Sequence, residues 1–189
     1  MTGKTHQVAG LTLSMGYFLI NNTPSYNPAT FGAVLAVSSI AALLPDIDQP
    51  AGKVWHLMPF GDQVGKAANT FLEHRNITHS ILGFGLISYG FYRLLSLAPS
   101  YWGINTHYVL VAFMLAYGVH LLADMFTVQG IPLLFPFQET YGIPPKPFDG
   151  IRILTGKWFE NLVIFPTINI LLLILIITYW GSIKNILLK

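Results

Sequence analysis

The sequence predicts an all-α fold, a helical bundle embedded in a membrane, with about five spanning segments forming a single domain over residues 1–189. Three observations point to it. Hydrophobic residues make up 53% of the chain and charged residues only 10%, against roughly 45–50% and 25% in soluble domains. Mean hydropathy is positive. The apolar residues also gather into runs approaching the roughly 20 that a helix needs to cross hydrocarbon, divided by clusters of Gly, Pro and Asn. Within a bilayer such runs must be helical, because only closed hydrogen bonding satisfies the backbone there.

The first two segments are residues 8–20 and 28–44. Both are short and carry Gly, Ser and Thr, which leaves a tilted or interfacial position open beside the preferred antiparallel hairpin. No small-residue cleavage site precedes the polar run 21–27, so the first segment reads as a retained helix. In the second, Gly32, Ala33, Ala36, Ser38, Ser39, Ala41 and Ala42 suit a helix that neighbours approach closely. Segments 77–97, 108–126 and 162–180 each approach a full span, and the last is the most apolar. The connections 46–76 and 127–161 hold most of the charge together with several Gly and Pro. Connections of that length are commonly functional. Within the first of them, residues 53–68 mix aromatic and polar side chains (Trp55, His56, Met58, Phe60) as headgroup-level segments do.

The formal charge of +2 is too small, and its basic residues too scattered, to build a nucleic-acid surface. The chain has no cysteine, so a metal would have to be held by imidazole and carboxylate. If all five segments span, Lys4, Lys53, Lys66, Arg75, Lys146, Arg152 and Lys157 share one side, while Arg93, Lys184 and Lys189 lie opposite. The positive-inside tendency makes the richer side cytoplasmic. The expected location is the inner (plasma) membrane, crossed several times.

The same alternation sorts the ionisable side chains. His6 precedes the first helix, Asp46 and Asp48 follow the second, His74 and His79 open the third, and His120 and Asp124 close the fourth. All fall on the predicted cytoplasmic side. The fold should therefore turn four distant motifs into one neighbourhood.

His120 and Asp124, in YGVHLLADMFT, are spaced by four and share a helical face. Ionisable groups at membrane depth are costly unless paired, hydrated or metal-bound, which makes them functional candidates; a structural Asp–His hydrogen bond is the competing reading. In LLPDIDQP, alternating carboxylates in an extended segment would point apart. Asp46 is then the preferred ligand, with Asp48 orienting a neighbouring histidine; a helix-ending turn with solvated acids competes. In HRNITHS, His74 and His79 flank a helix start that Asn76 or Thr78 could cap. Arg75 between them offers a fork of donors suited to phosphate. His107 falls on the opposite side, and His56 lies in a loop without matching geometry. Thr127 reads more readily as a helix cap than as a ligand contact.

Oxygen and imidazole donors suit Zn²⁺, with Mn²⁺ or Fe²⁺ as alternatives, and the number of candidates allows two ions per chain. Divalent metal there would activate water for hydrolysis, and Arg75 would bind substrate charge.

The motifs THQVAG, LLPDID, HRNITHS and HLLADMFTVQGIPLLFPF, in that order and spacing, resemble a family of bacterial and archaeal membrane-bound proteins described as metal-dependent hydrolases. Some members are linked to the LexA-controlled damage response. The resemblance covers most of the chain and implies metal-site roles for His6, Asp46, His74, His79, His120 and Asp124, with Asp48 a lesser candidate. The His-x-x-x-Asp element is also faintly similar to one in zinc phospholipases C and related nucleases, although the N-terminal tryptophan used as a ligand there is missing. The expected function is hydrolysis of a phosphoester, on a small molecule or at lipid headgroup level. A non-catalytic metal sensor or transporter is the alternative; the clustering of candidates at one end, with no ionisable path through the apolar segments, argues against transport.

Overall fold

In a computed structural model, the structure describes residues 1–21, 27–48, 77–97, 103–137 and 139–188. Among these the protein is all-helical, with two isolated bridges and no strand. The α-helices are α1 (Gly3–Asn21), α2 (Pro28–Ala41), α3 (Ile81–Leu95), α4 (Thr106–Met125), α5 (Phe165–Thr178) and α6 (Trp180–Leu187). A 3₁₀ turn, Leu44–Asp48, follows α2; another, Ile77–His79, precedes α3; and a π-helical turn, Glu160–Ile164, leads into α5.

Two stretches are long and apolar enough to cross a bilayer, Thr106–Met125 and Glu160–Thr178. The helices α2 and α3 are apolar but shorter. The first segment begins five residues before its apolar run, at Gly3 rather than residue 8, because the polar residues of its opening turn bond to the rest of the protein. The third helix starts later than residue 77. Its cap is Ser80, whose Oγ accepts from the Gly83 amide at 3.0 Å. Thr78 does not cap the helix, and Asn76 lies outside the described residues. The unforeseen α6 packs on α2 and adds Ile183 and Ile186 to the core cluster that holds Met15, Phe18, Phe31 and Val34.

The helices α1, α2 and α4 pack on one another; α3 leans on α4, and α5 on α1. At the far end, Asn27 caps α2 by accepting from the Ala29 and Thr30 amides, with Pro28 in the first turn. Phe18, Phe31 and Tyr108 fill the core beside it. At the other end the three central helices meet on their smallest residues. A Cβ at Gly10 would lie 3.0 Å from the Cβ atoms of both Ala42 and Ala116. That contact sits one turn from His6 on α1 and one turn from His120 on α4, and it sets their separation. Of the small residues of α2, Ser38, Ala41 and Ala42 are buried, while Gly32 and Ala36 face outward.

Candidate metal centre

At the Gly10 end of the bundle, His6, Asp46, His79, His120 and Asp124 converge, with the three histidines and Asp124 wholly buried and Asp46 nearly so. His6 comes from the opening of α1 and Asp46 from the 3₁₀ turn after α2. His79 ends the 3₁₀ turn before α3, and His120 and Asp124 occupy the last turns of α4. The one-sided clustering expected from alternating segments holds for these five. His74 and Arg75 lie outside the described residues, as do His56 and the segment 53–68. Asp48 ends the 3₁₀ turn, and its side chain is likewise outside the described set. The turn is helical, so the extended geometry that would have pointed Asp46 and Asp48 apart does not apply.

Each imidazole is set by a second contact. His120 Nδ1 donates to the Ala42 carbonyl at 2.7 Å, one of the acceptors that the end of α2 leaves unpaired. With its proton committed there, Nε2 keeps its lone pair and points into the site. His79 Nδ1 stands 3.3 Å from Thr78 Oγ1, and the Thr78 carbonyl accepts from the buried Tyr117 hydroxyl of α4 at 2.7 Å. The close seat of this turn requires Gly83, since a Cβ there would lie 1.8 Å from the Ile77 carbonyl oxygen. His6 stacks on His120 with centroids 3.7 Å apart. Its Nε2 faces the Met1 carbonyl at 3.1 Å and Asp124 Oδ1 at 3.2 Å.

The inward atoms, two carboxylate oxygens and two imidazole nitrogens, form a ring. Asp46 Oδ1 is 3.7 Å from His79 Nε2 and 3.8 Å from His120 Nε2. Asp124 Oδ2 is 3.8 Å from His79 Nε2 and 3.9 Å from His120 Nε2. Ligands about 2.0–2.2 Å from a shared tetrahedral ion stand roughly 3.3–3.5 Å apart, a few tenths of an ångström less than these neighbouring separations. The buried Nδ1 of His6 and Nε2 of His120 have no hydrogen-bond partner among the described residues. Burial of unpaired ring nitrogens costs about 1–3 kcal/mol each. Two triads, His6–His120–Asp124 and Asp46–His79–His120, have ligand atoms close enough to hold an ion. The nitrogen and oxygen donors therefore fit a divalent cation of the zinc, manganese or iron type. Burial pushes the Asp46 carboxyl above its ordinary range, while His6 and His79 pull it back; a bound cation would favour its charged form.

Asp124 also receives the N-terminal ammonium of Met1. Beside it lies a carboxylate that the sequence reading passed over, Glu160. Its Oε1 accepts from Thr2 N, Thr2 Oγ1 and Thr5 Oγ1 at 2.6, 2.8 and 2.7 Å, and its Oε2 from Gly156 N at 2.7 Å. These bonds tie the start of α1, and with it His6, to the entry of α5. The signal was available: a lone carboxylate opening the most apolar stretch is unusual enough to mark a role. Thr127 is a helix cap as expected, its Oγ1 donating to the Asp124 carbonyl at 2.7 Å. His107 lies at the opposite end, near the Tyr17 hydroxyl.

A family model described as YdjM inner membrane protein matches residues 1–186 of this chain. Among curated proteins, YvsG of Bacillus subtilis (strain 168), an uncharacterized protein by its description, is 30% identical over 167 residues, which is 87% of this chain and 88% of YvsG. The inner membrane protein YdjM of Escherichia coli (strain K12) is 27% identical over 144 residues, 76% of this chain and 70% of its own length. YdjM of Shigella flexneri matches to the same extent. No solved structure matches.

Proposed function

The chain belongs to the YdjM inner membrane protein family, and from that premise we propose that it is a membrane-embedded, metal-dependent hydrolase of phosphoesters, acting on a lipid or other headgroup-level substrate at the cytoplasmic face. The observation that carries the proposal is the ring of four inward atoms from Asp46, His79, His120 and Asp124, two carboxylate oxygens and two imidazole nitrogens gathered at one end of the helices. Carboxylates and imidazoles brought together at that depth from four separate elements are the donor set that a divalent cation takes, and such groups are costly there unless paired or metal-bound.

In this reading the protein is one helical membrane domain with five spans. Asp46, His79, His120 and Asp124 hold one divalent ion, zinc first among the choices. Asp124 turns its other oxygen to His6, which supports a second ion beside the first, with His74 completing the set. A divalent ion supplies a nucleophilic water near neutral pH and offsets charge on the phosphoryl oxygens. The residues do the rest. The Ala42 carbonyl holds His120 in the tautomer that presents Nε2, Thr78 and Tyr117 hold the His79 turn, and the buried surroundings strengthen each electrostatic contact. Arg75 binds the substrate's negative charge, and Asp48 orients a histidine.

The test is elemental analysis of the purified protein, followed by turnover of a panel of phosphoesters that includes phospholipids. Bound zinc, turnover, and loss of both in a folded Asp124→Asn variant are expected. Stoichiometric metal without turnover across the panel would move the assignment to a metal sensor, and metal-dependent flux into proteoliposomes would move it to a transporter.

A further inference from the structure

The connection between α4 and α5 is built the opposite way from a loop designed for water. Several of its backbone polar groups are paired within the protein. Ile131 and Tyr141 exchange N–H···O bonds of 2.9 and 2.8 Å, and the Ile143 and Ile153 amides donate to the Met125 and Phe126 carbonyls at 2.7 and 2.9 Å. Arg152 bends its guanidinium back onto the Pro144 and Gly142 carbonyls. Toward α5, by contrast, large apolar side chains face outward. Phe148, Ile151, Leu154 and Trp158 are all exposed, Ile151 by 78%.

Leaving such side chains in water forfeits about 25 cal/mol for each Å² of apolar surface, and clustered exposure of this kind marks a binding surface. What covers it is indicated by continuity. The stretch runs straight into Glu160–Thr178, which is long and apolar enough to span and, after Glu160 itself, has none of its apolar length buried in the protein. The apolar surface of the loop therefore continues into the surface that would meet lipid. Lys146 and Lys157 stand exposed in the same stretch, as cationic and aromatic anchors do at the headgroup level. Satisfied backbone bonds are also the condition for irregular chain to enter a layer poor in water.

We infer that residues 148–159 lie in the bilayer's headgroup layer, with Phe148, Ile151, Leu154 and Trp158 inserted toward the acyl chains and Lys146 and Lys157 against lipid phosphates. Because this loop closes on the carbonyls of Met125 and Phe126, directly after Asp124, the bilayer surface meets the protein beside the candidate metal centre. The inference rests on α5 crossing the membrane and is independent of any hydrolytic activity.

The absence of cysteine makes the test direct. Ile151→Cys and Leu154→Cys variants of the full chain, nitroxide-labelled in phosphatidylcholine–phosphatidylglycerol vesicles, are compared with Leu173→Cys in α5 for collisions with oxygen and with a neutral nickel chelate. Oxygen collisions exceeding nickel collisions at both loop positions, the pattern expected at Leu173, support insertion. A nickel excess at the loop with an oxygen excess at Leu173 overturns the inference and leaves the span standing. A nickel excess at all three overturns both, and low values for both reagents at the loop show a protein partner instead and also overturn it. A chain with Trp158 as its sole tryptophan gives a second reading, since quenching of its fluorescence by brominated lipid is expected and an unchanged signal contradicts insertion.

Discussion

The stretches Thr106–Met125 and Glu160–Thr178 are alike by length and apolar content and unlike in what they do. In α4, nearly half of the span is buried; it carries Phe113, Ala116, Tyr117, His120 and Asp124 into the protein. In α5, no residue of the helix is buried, and its large side chains face outward except where they touch α1. Apolar character in α4 is protein core, and in α5 it is outward surface of the kind that lipid would cover. A hydropathy pattern cannot tell these apart, because both environments exclude water.

Substitutions can sharpen or break that contrast. The largest effect is expected at Asp124. Asp124→Asn should lower metal affinity by more than about 100-fold, since even the outer partners of metal ligands are worth about 10–100-fold; titration of the metal-free protein with zinc measures it, and unchanged binding would remove Asp124 from the site. Next comes Phe113, stacked on Phe91 at 4.2 Å. Phe113→Ala should cost about 3–5 kcal/mol of stability, read by denaturation in micelles.

A pair of identical changes on α1 compares the two helices directly. At Gly10, facing Ala116 of α4, an added Cβ meets two others at 3.0 Å, and Gly10→Ala should destabilise by about 1–3 kcal/mol while weakening metal binding. At Gly16, facing Leu175 of α5, the nearest atom would be 3.7 Å away, an ordinary contact. Gly16→Ala should therefore stabilise, by up to about 1 kcal/mol from helix propensity. The same sign at both sites would show that α1 meets α4 no more tightly than α5. Smallest of all, Leu173→Ala on the exposed face of α5 should change stability by less than about 0.5 kcal/mol; a larger loss would mean that this face is covered by protein.

Much of the candidate site was legible because two simple periodicities reinforce each other. The spacing of four put His120 and Asp124 on one face, and alternating segments brought His6, Asp46 and His79 to the same end. Glu160 was not legible as a partner of α1, since Thr2 and Thr5 lie at the far end of the sequence and nothing local links them to it. Ser80 displaced Thr78 as the cap of α3 because the Thr78 carbonyl is held by Tyr117, a contact between elements. The fold of Ile183 and Ile186 back into the core beside α2 likewise follows from packing, where the residues themselves read only as the tail of an apolar run.

By itself the sequence determined the helical class, the approximate segments, the end of the molecule that gathers the acids and histidines, and the donor chemistry available there. These follow from periodicity and composition, which act along the chain. Only the tertiary structure decided which lone pair of His120 faces the site, through the Ala42 carbonyl, and which apolar helix is core and which is surface. Those depend on atoms brought together from distant positions, at separations set by contacts such as Gly10 against Ala42 and Ala116.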